Sequence, residues 1–291
     1  MSNLERRYRL LLRVLPRWYR QDREEEMVGI FLAERDDELD LEHSWPGWGE
    51  TGAILGLSVR THLAAGAALT SVPAKVVWRG EIVRALGMIG LLLGVFYATA
   101  AIVNVVAGFG RPFQAPEPWW RVLELGPLVA LPALLNGRRT LAKVAAAAPA
   151  VLSVVSLGQP EYALTWSVFQ LPSLVTFACL CLGFHREAPT PPARRLLWWG
   201  GGAALLGVLG GFAAGVGLLS VGLITVVVRV VAFVRGDFVL GRALSLFAVL
   251  QLVPLLFLVV AGSEVFVPAA GLALLLVLAA VAPVRRQRVR A

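Results

Sequence analysis

Five side chains able to carry charge or form strong hydrogen bonds interrupt the apolar runs beyond residue 80: Arg121, Glu124, Gln170, Arg229 and Gln251. An Arg or Asp at the centre of a membrane helix costs about 2.5–3.5 kcal/mol on insertion scales, so each such residue is a functional candidate. Arg121 and Glu124 stand three apart, on one helix face, where they can pair. Arg229 lies close enough to the end of its apolar run for the guanidinium to snorkel outward. Gln170 and Gln251, like Asn104, are neutral and can cross-link helices, each worth about 0.6–2 kcal/mol. Together Arg121, Glu124, Gln170, Arg229 and Gln251 are the expected lining of an intramembrane polar cavity, with Pro127, Pro132, Pro149, Pro172 and Pro254 kinking the helices around it.

No catalytic chemistry is legible beside them. The chain has no GxxxxGK[ST] phosphate loop, no HExxH, no GxSxG and no GxGxxG opening a helix. The glycine run Gly200–Gly202 lacks the lysine of a nucleotide site. His43, His62 and His185 are too scattered for a metal, and Cys179 and Cys181 sit in an apolar run as small hydrophobes. Residues 34–43, ERDDELDLEH, place six carboxylates in nine positions without the glycine and ligand register of a calcium loop, and read as a solvated acidic linker. The expectation is a protein that is not an enzyme, with no catalytic, cofactor-binding or metal-binding residues and no cofactor.

The elements that position these residues are mostly apolar. Of 291 residues, 57% are hydrophobic and 16% charged, and the mean hydropathy is +0.72, outside the range of ordinary soluble domains. Runs long enough to cross a bilayer core of about 30 Å occur near residues 83–108, 119–136, 140–158, 163–184, 196–214, 218–234, 243–261 and 265–284. The stretch 196–234 is one apolar run of 39 residues, about twice the length a span needs, and folds back near Gly215–Gly217. Under the rule that inner loops hold Lys and Arg, this count places Arg138, Arg139, Lys143, Arg186, Arg194, Arg195, Arg235, Arg242 and the tail Arg285–Arg290 on one side, with Arg111 left outside. Trp119, Trp120, Trp198 and Trp199 fall at span ends as anchors. The fold class is all-α, a polytopic integral membrane protein of about eight transmembrane helices preceded by a small cytoplasmic helical domain.

Ala203, Gly207, Gly211 and Gly215 recur every four residues, so one helix face lacks bulk and forms a packing seam. An internal neighbour is the preferred partner for it; a homo-oligomer through the same glycines is the alternative.

The first 50 residues differ from the remainder in charge. They hold 8 basic and 12 acidic residues, net −4, leaving 19 basic and 7 acidic, net +12. Because the excess Arg lies in loops between apolar runs, the high pI is no sign of nucleic-acid binding. Residues 1–35 are too charged for a cleavable signal peptide. Leu4, Tyr8, Leu11, Leu12 and Leu15 form a helical stripe, capped by Ser2 or Asn3 and broken at Pro16; a second helix runs from about Arg17 to Ala33 and returns its apolar end, Met27 to Leu32, onto the first. The mixed face Arg9, Arg13, Arg20, Glu24 and Glu25 is the candidate partner-binding surface. A third helix, about Trp48 to Ala68, carries Trp48, Leu55, Val59 and Leu63 on one side; it either lies along the membrane surface or completes a three-helix soluble core. The organisation is thus 1–44 helical hairpin and acidic linker, 45–80 amphipathic helix and linker, 81–285 membrane domain and 286–291 basic tail.

The pattern Tyr8-Arg9-x-Leu11-Leu12-x-x-Leu15-Pro16-x-x-Tyr19-Arg20, continued by Arg23-Glu24-Glu25-Glu26-Met27 and Phe31-Leu32, resembles the short helical prefixes of bacterial membrane proteins known as HAAS-type signalling or permease-prefix domains. Such prefixes often accompany PadR-like regulators. The resemblance covers about 30 residues and implies a signalling or accessory role; with both termini placed in the cytoplasm by the Lys and Arg distribution, the expectation is a bacterial inner-membrane protein in a signalling, regulatory or scaffolding role with a cytoplasmic protein partner. A permease-like transporter or transporter subunit is the alternative expectation.

Overall fold

The computed structural model describes residues 2–33, 45–62, 74–108, 119–156, 163–184, 191–212, 217–260 and 266–282. Among them the protein is all-α, with no strand. The acidic linker 34–43, Gly215 and the basic tail lie outside the described residues. The chain divides into two compact units, Met1–Gly80 and Glu81–Ala291.

In the first unit, α1 (Asn3–Leu12) and α2 (Arg17–Ala33) form the expected hairpin. Ser2 caps α1 by accepting the Glu5 N–H at 3.1 Å, offsetting one of the donors that a helix start leaves bare. Pro16 interrupts the helix, and three tight turns over Arg13–Leu15 bridge the break. Leu4, Tyr8, Leu12 and Leu15 bury the stripe against Val28 and Phe31, and Ile54 of α3 (Trp48–His62) closes the core. The third helix therefore completes a three-helix core. It does so with a face other than the apolar stripe Trp48, Leu55 and Val59: Ile54, Ser58 and Thr61 are buried instead. Hydrogen bonds choose that face. The Tyr8 hydroxyl donates to Glu50 Oε1 at 3.0 Å and the Ser58 hydroxyl to the Val14 carbonyl at 2.8 Å, so Glu50 and Ser58 of α3 find partners from α1 and the turn after it.

The second unit holds α4 (Ala74–Gly108, beginning in the first), a 3-10 helix (Trp119–Leu125), α5 (Gly126–Leu135), α6 (Arg139–Ser156), α7 (Ala163–Gly183), α8 (Ala193–Phe212), α9 (Gly217–Arg235), α10 (Phe238–Val260) and α11 (Phe266–Val281). Eight helices thus occupy the eight apolar runs, and 196–234 is divided between α8 and α9. Two stretches, Val77–Val106 and Phe238–Val260, are by themselves long and apolar enough to cross a membrane. Pro132, Pro149, Pro172 and Pro254 lie inside helices. Pro127 instead opens α5, in the first turn where no N–H is required.

Helix α4 is the hub. Met88 and Leu91 join a core with Ala130, Ala133 and Leu134 of α5, Ala142 of α6, Leu180 of α7 and Leu196 of α8, while Leu86 and Phe96 join another with Val221 of α9 and Ala243 and Phe247 of α10. Glycines permit the approach. A methyl at Gly87 would lie 2.6 Å from Leu180 Cα and 2.9 Å from the Cys179 carbonyl carbon. One at Gly90 would strike Thr176, and one at Gly183 would meet Arg84 Cα at 3.0 Å. These pairs descend along α7 as they ascend α4, so the two helices are antiparallel.

Gly87→Val is expected to destabilise the protein by about 1–3 kcal/mol, because the obstacle is backbone that cannot rotate away. Gly201→Ala, where nothing lies within 4 Å, should be neutral or slightly stabilising by helix propensity. Thermal midpoints of the two purified variants check this; equal midpoints would contradict the packing.

Candidate functional site

The five candidate polar residues do not form one cluster. Arg229 of α9 is buried, with 2% of its surface exposed. Its Nε donates to Ser245 Oγ of α10 at 3.2 Å and its Nη2 to the Ala282 carbonyl, just past the end of α11, at 2.8 Å. Ser245 Oγ in turn lies 3.0 Å from the Gly241 carbonyl and 3.3 Å from that of Ala279. The cation thus satisfies the Ala282 carbonyl just past the end of α11, where the helix dipole favours positive charge. Arg229 acts as a tie between α9, α10 and α11. Sequence reasoning missed Ser245, which carries no charge and gains its role only through the α9–α10 hairpin.

Gln251 is equally buried, yet neither its amide oxygen nor its amide nitrogen has a hydrogen-bond partner among the described residues. It stands six residues past Ser245 on α10, about 9 Å along the axis, and so does not take part in the Arg229 tie. A buried amide without partners costs about 1–3 kcal/mol per group. Gln170 is half-buried on α7, which packs on α10 through an edge-to-face contact of Phe169 and Phe257, centroids 6.1 Å apart. Glu124 is half-buried on the 3-10 helix, and the Arg121 side chain lies outside the described residues. A cavity of about 810 Å³ opens elsewhere, at the turn between α5 and α6, lined by Arg138, Arg139, Thr140, Lys143 and Phe184. None of the five residues lines it.

The small-residue seam faces helix α4. A side chain at Gly207 would collide with Thr99 and the Phe96 carbonyl, and one at Gly211 would come within 2.8 Å of Val103 Cβ. Ascending α8 corresponds to ascending α4, so these two helices are parallel. Gly215 lies outside the described residues, and Ala203 is half-buried.

On the first unit, most of the candidate partner face is occupied by its own ion pairs. Arg9 meets Glu5 at 3.0 Å, Glu25 at 2.6 Å and Glu24 at 3.8 Å, and Arg20 meets Glu24 at 3.8 Å. The Arg9–Glu25 contact is bidentate, with a second bond of 2.9 Å, and ties α1 to α2. Hydrogen bonding to Glu25 and Glu5 raises the Arg9 pKa, and the same bond to Arg9 lowers that of Glu25. Arg13 is exposed and has no ion pair among the described residues. Among those residues no group of three His, Cys, Asp or Glu side chains comes together as a metal site.

No protein-family model, curated protein or solved structure matches the chain.

A carboxylate whose pKa is depressed on folding contributes stability above its unfolded pKa, lost as pH falls through the folded value. The Glu25 contribution should therefore be complete at neutral pH and disappear below about pH 4. In Arg9→Leu the Glu25 carboxyl should titrate higher, at its ordinary value, as read from its side-chain carboxyl NMR signal; an unmoved titration would deny the pair.

Proposed function

We propose that the chain is a multi-pass protein of the bacterial inner membrane, with eight spans and both termini in the cytoplasm, and that its N-terminal three-helix unit binds a cytoplasmic protein partner in a regulatory, signalling or scaffolding role. The observation that carries this reading is the division of labour between the units. The first carries a dense charged surface over a core of its own; the second is apolar, and the buried charge Arg229 is committed to holding helices together.

Helix directions support the eight-span count. In a serpentine of eight spans the first and fourth run oppositely and the first and fifth alike, as the glycine contacts have α4 against α7 and α8. The sixth and eighth should also run alike. Gly222 of α9 faces Leu272 of α11, and Arg229 reaches Ala282, so ascending one helix ascends the other. The resemblance of the first 32 residues to HAAS-type and permease-prefix domains supports the signalling part. The buried, unpartnered amide of Gln251 favours the second reading, a transporter or transporter subunit, in which loss of uptake by a folded Gln251→Leu protein would be the deciding result.

Two measurements test the proposal. Cytoplasmic reporters fused after Arg139, Arg195 and Arg242 are expected to be active, and one silent fusion would refute the topology. Partners cross-linked to the full chain should be lost when residues 1–80 are removed and depleted by Arg13→Glu; identical partner lists for all three proteins would refute the signalling role.

A further inference from the structure

Helix α3 has two faces with different fates. Ile54, Ser58 and Thr61 complete the core, while Trp48, Leu55 and Val59 point away from it with 87%, 47% and 47% of their surfaces exposed. At 100° per residue, positions 48, 52, 55, 59 and 62 fall within about 40° of a single line along the helix. That line carries an indole, two branched aliphatics, a glycine and a histidine. A helix of a soluble unit ordinarily turns charged or polar side chains outward; here the outward line is apolar and holds no carboxylate. The acid of α3, Glu50, lies on the far side, bound by Tyr8. The cation Arg60 is exposed at the edge, its Nε donating to the Gly56 carbonyl. Trp45, just before the helix, is 57% exposed, and Val14, tied to α3 through its carbonyl, is 42% exposed.

The chain immediately C-terminal to α3 indicates the occupant of this face. Residues 63–76 separate α3 from Val77, where the first stretch able to cross a membrane begins. Fourteen residues span at most about 50 Å even when fully extended, so the face cannot leave the neighbourhood of a bilayer in which that stretch is inserted. Indole rings favour headgroup depth, aliphatic side chains the layer beneath, and an edge cation pairs with anionic headgroups. Trp48, Leu55 with Val59, and Arg60 supply these in turn.

We propose that the outer face of α3 docks on the lipid surface of the membrane that anchors the chain, so that one helix serves both as the third core helix of the first unit and as its membrane-contacting side. The proposal rests on the membrane reading above but not on a signalling role.

The test uses the full chain with Cys179 and Cys181 replaced by Ala and a single nitroxide-labelled cysteine at Leu55, Val59 or, as a control on exposed α2, Gln21, reconstituted in vesicles of phosphatidylcholine and phosphatidylglycerol. Labels at 55 and 59 should collide with oxygen in preference to an aqueous nickel chelate, with a ratio several-fold above that at 21. Leu55→Asp should return the label at 59 to the control ratio while leaving the mobility of the label at 21 unchanged, showing that the unit remains folded. Control-like ratios at 55 and 59 would overturn the proposal. So would protection from both reagents, which would mean that protein rather than lipid covers the face. Flotation separates the two levels: a chain that does not float with the vesicles refutes the membrane reading and this proposal together, whereas a floating chain with water-like labels refutes this proposal alone.

Discussion

The close approach of helices to α4 is the constraint on which the second unit depends. Apolar helices pack closely only where their surfaces fit, because a gap at the contact forfeits the dispersion attraction of the atoms lining it, so close approach must come from shape. Removing bulk at Gly87 and Gly90 lets the backbone of α7 come in on one side. Gly207 and Gly211 of α8 do the reverse, accepting Phe96, Thr99 and Val103 of α4. Thr176, buried where Gly90 leaves room, returns its hydroxyl to the Pro172 carbonyl at 2.8 Å, so a polar group enters an apolar contact already satisfied. The two larger cores are then assembled on opposite flanks of α4 from residues of every helix between α5 and α10.

In the first unit, burial of Leu4, Tyr8, Leu12, Phe31 and Ile54 forms the core. Tyr8 is the residue through which all three helices communicate: its ring stacks on Phe31 of α2 at 3.8 Å between centroids and its hydroxyl bonds Glu50 of α3. Surface charges adapt to that arrangement rather than create it. The Arg9–Glu25 fork, with Glu25 largely exposed, sets the register of α1 on α2 without supplying much of its stability.

These two solutions bear on function through what they leave unused. Arg229, the buried cation, is consumed in tying α9 to α10 and α11, and most charges of the α1–α2 face are consumed by one another. Among the described residues, those left available include the exposed Arg13, the apolar outer line of α3, the basic cavity of Arg138, Arg139 and Lys143, and the Gln251 amide, enclosed with no partner among those residues.

Much of the architecture was legible from residue order because it depends on properties of single segments. Hydropathy marks the helices, Pro16 ends α1, and the excess length of 196–234 requires a break between α8 and α9. The α1 stripe was legible for the same reason, since one helix must bury its one apolar face. What only the tertiary structure decided depends on two segments meeting. The apolar stripe of α3, Trp48, Leu55 and Val59, was compatible with either a membrane-surface or a core position, and the fold instead turns Ile54 and Ser58 inward, where Tyr8 and Val14, 42 and 44 residues away, bond Glu50 and Ser58. Arg229 likewise read as a cation reaching toward a helix end, and only the fold supplied its partner, the Ala282 carbonyl 53 residues on. By itself the sequence determined which segments are helical and which of them are apolar. Only the folded chain could decide which face of α3 is spent on the core, because a polar side chain is buried only where a partner from elsewhere in the chain repays its desolvation.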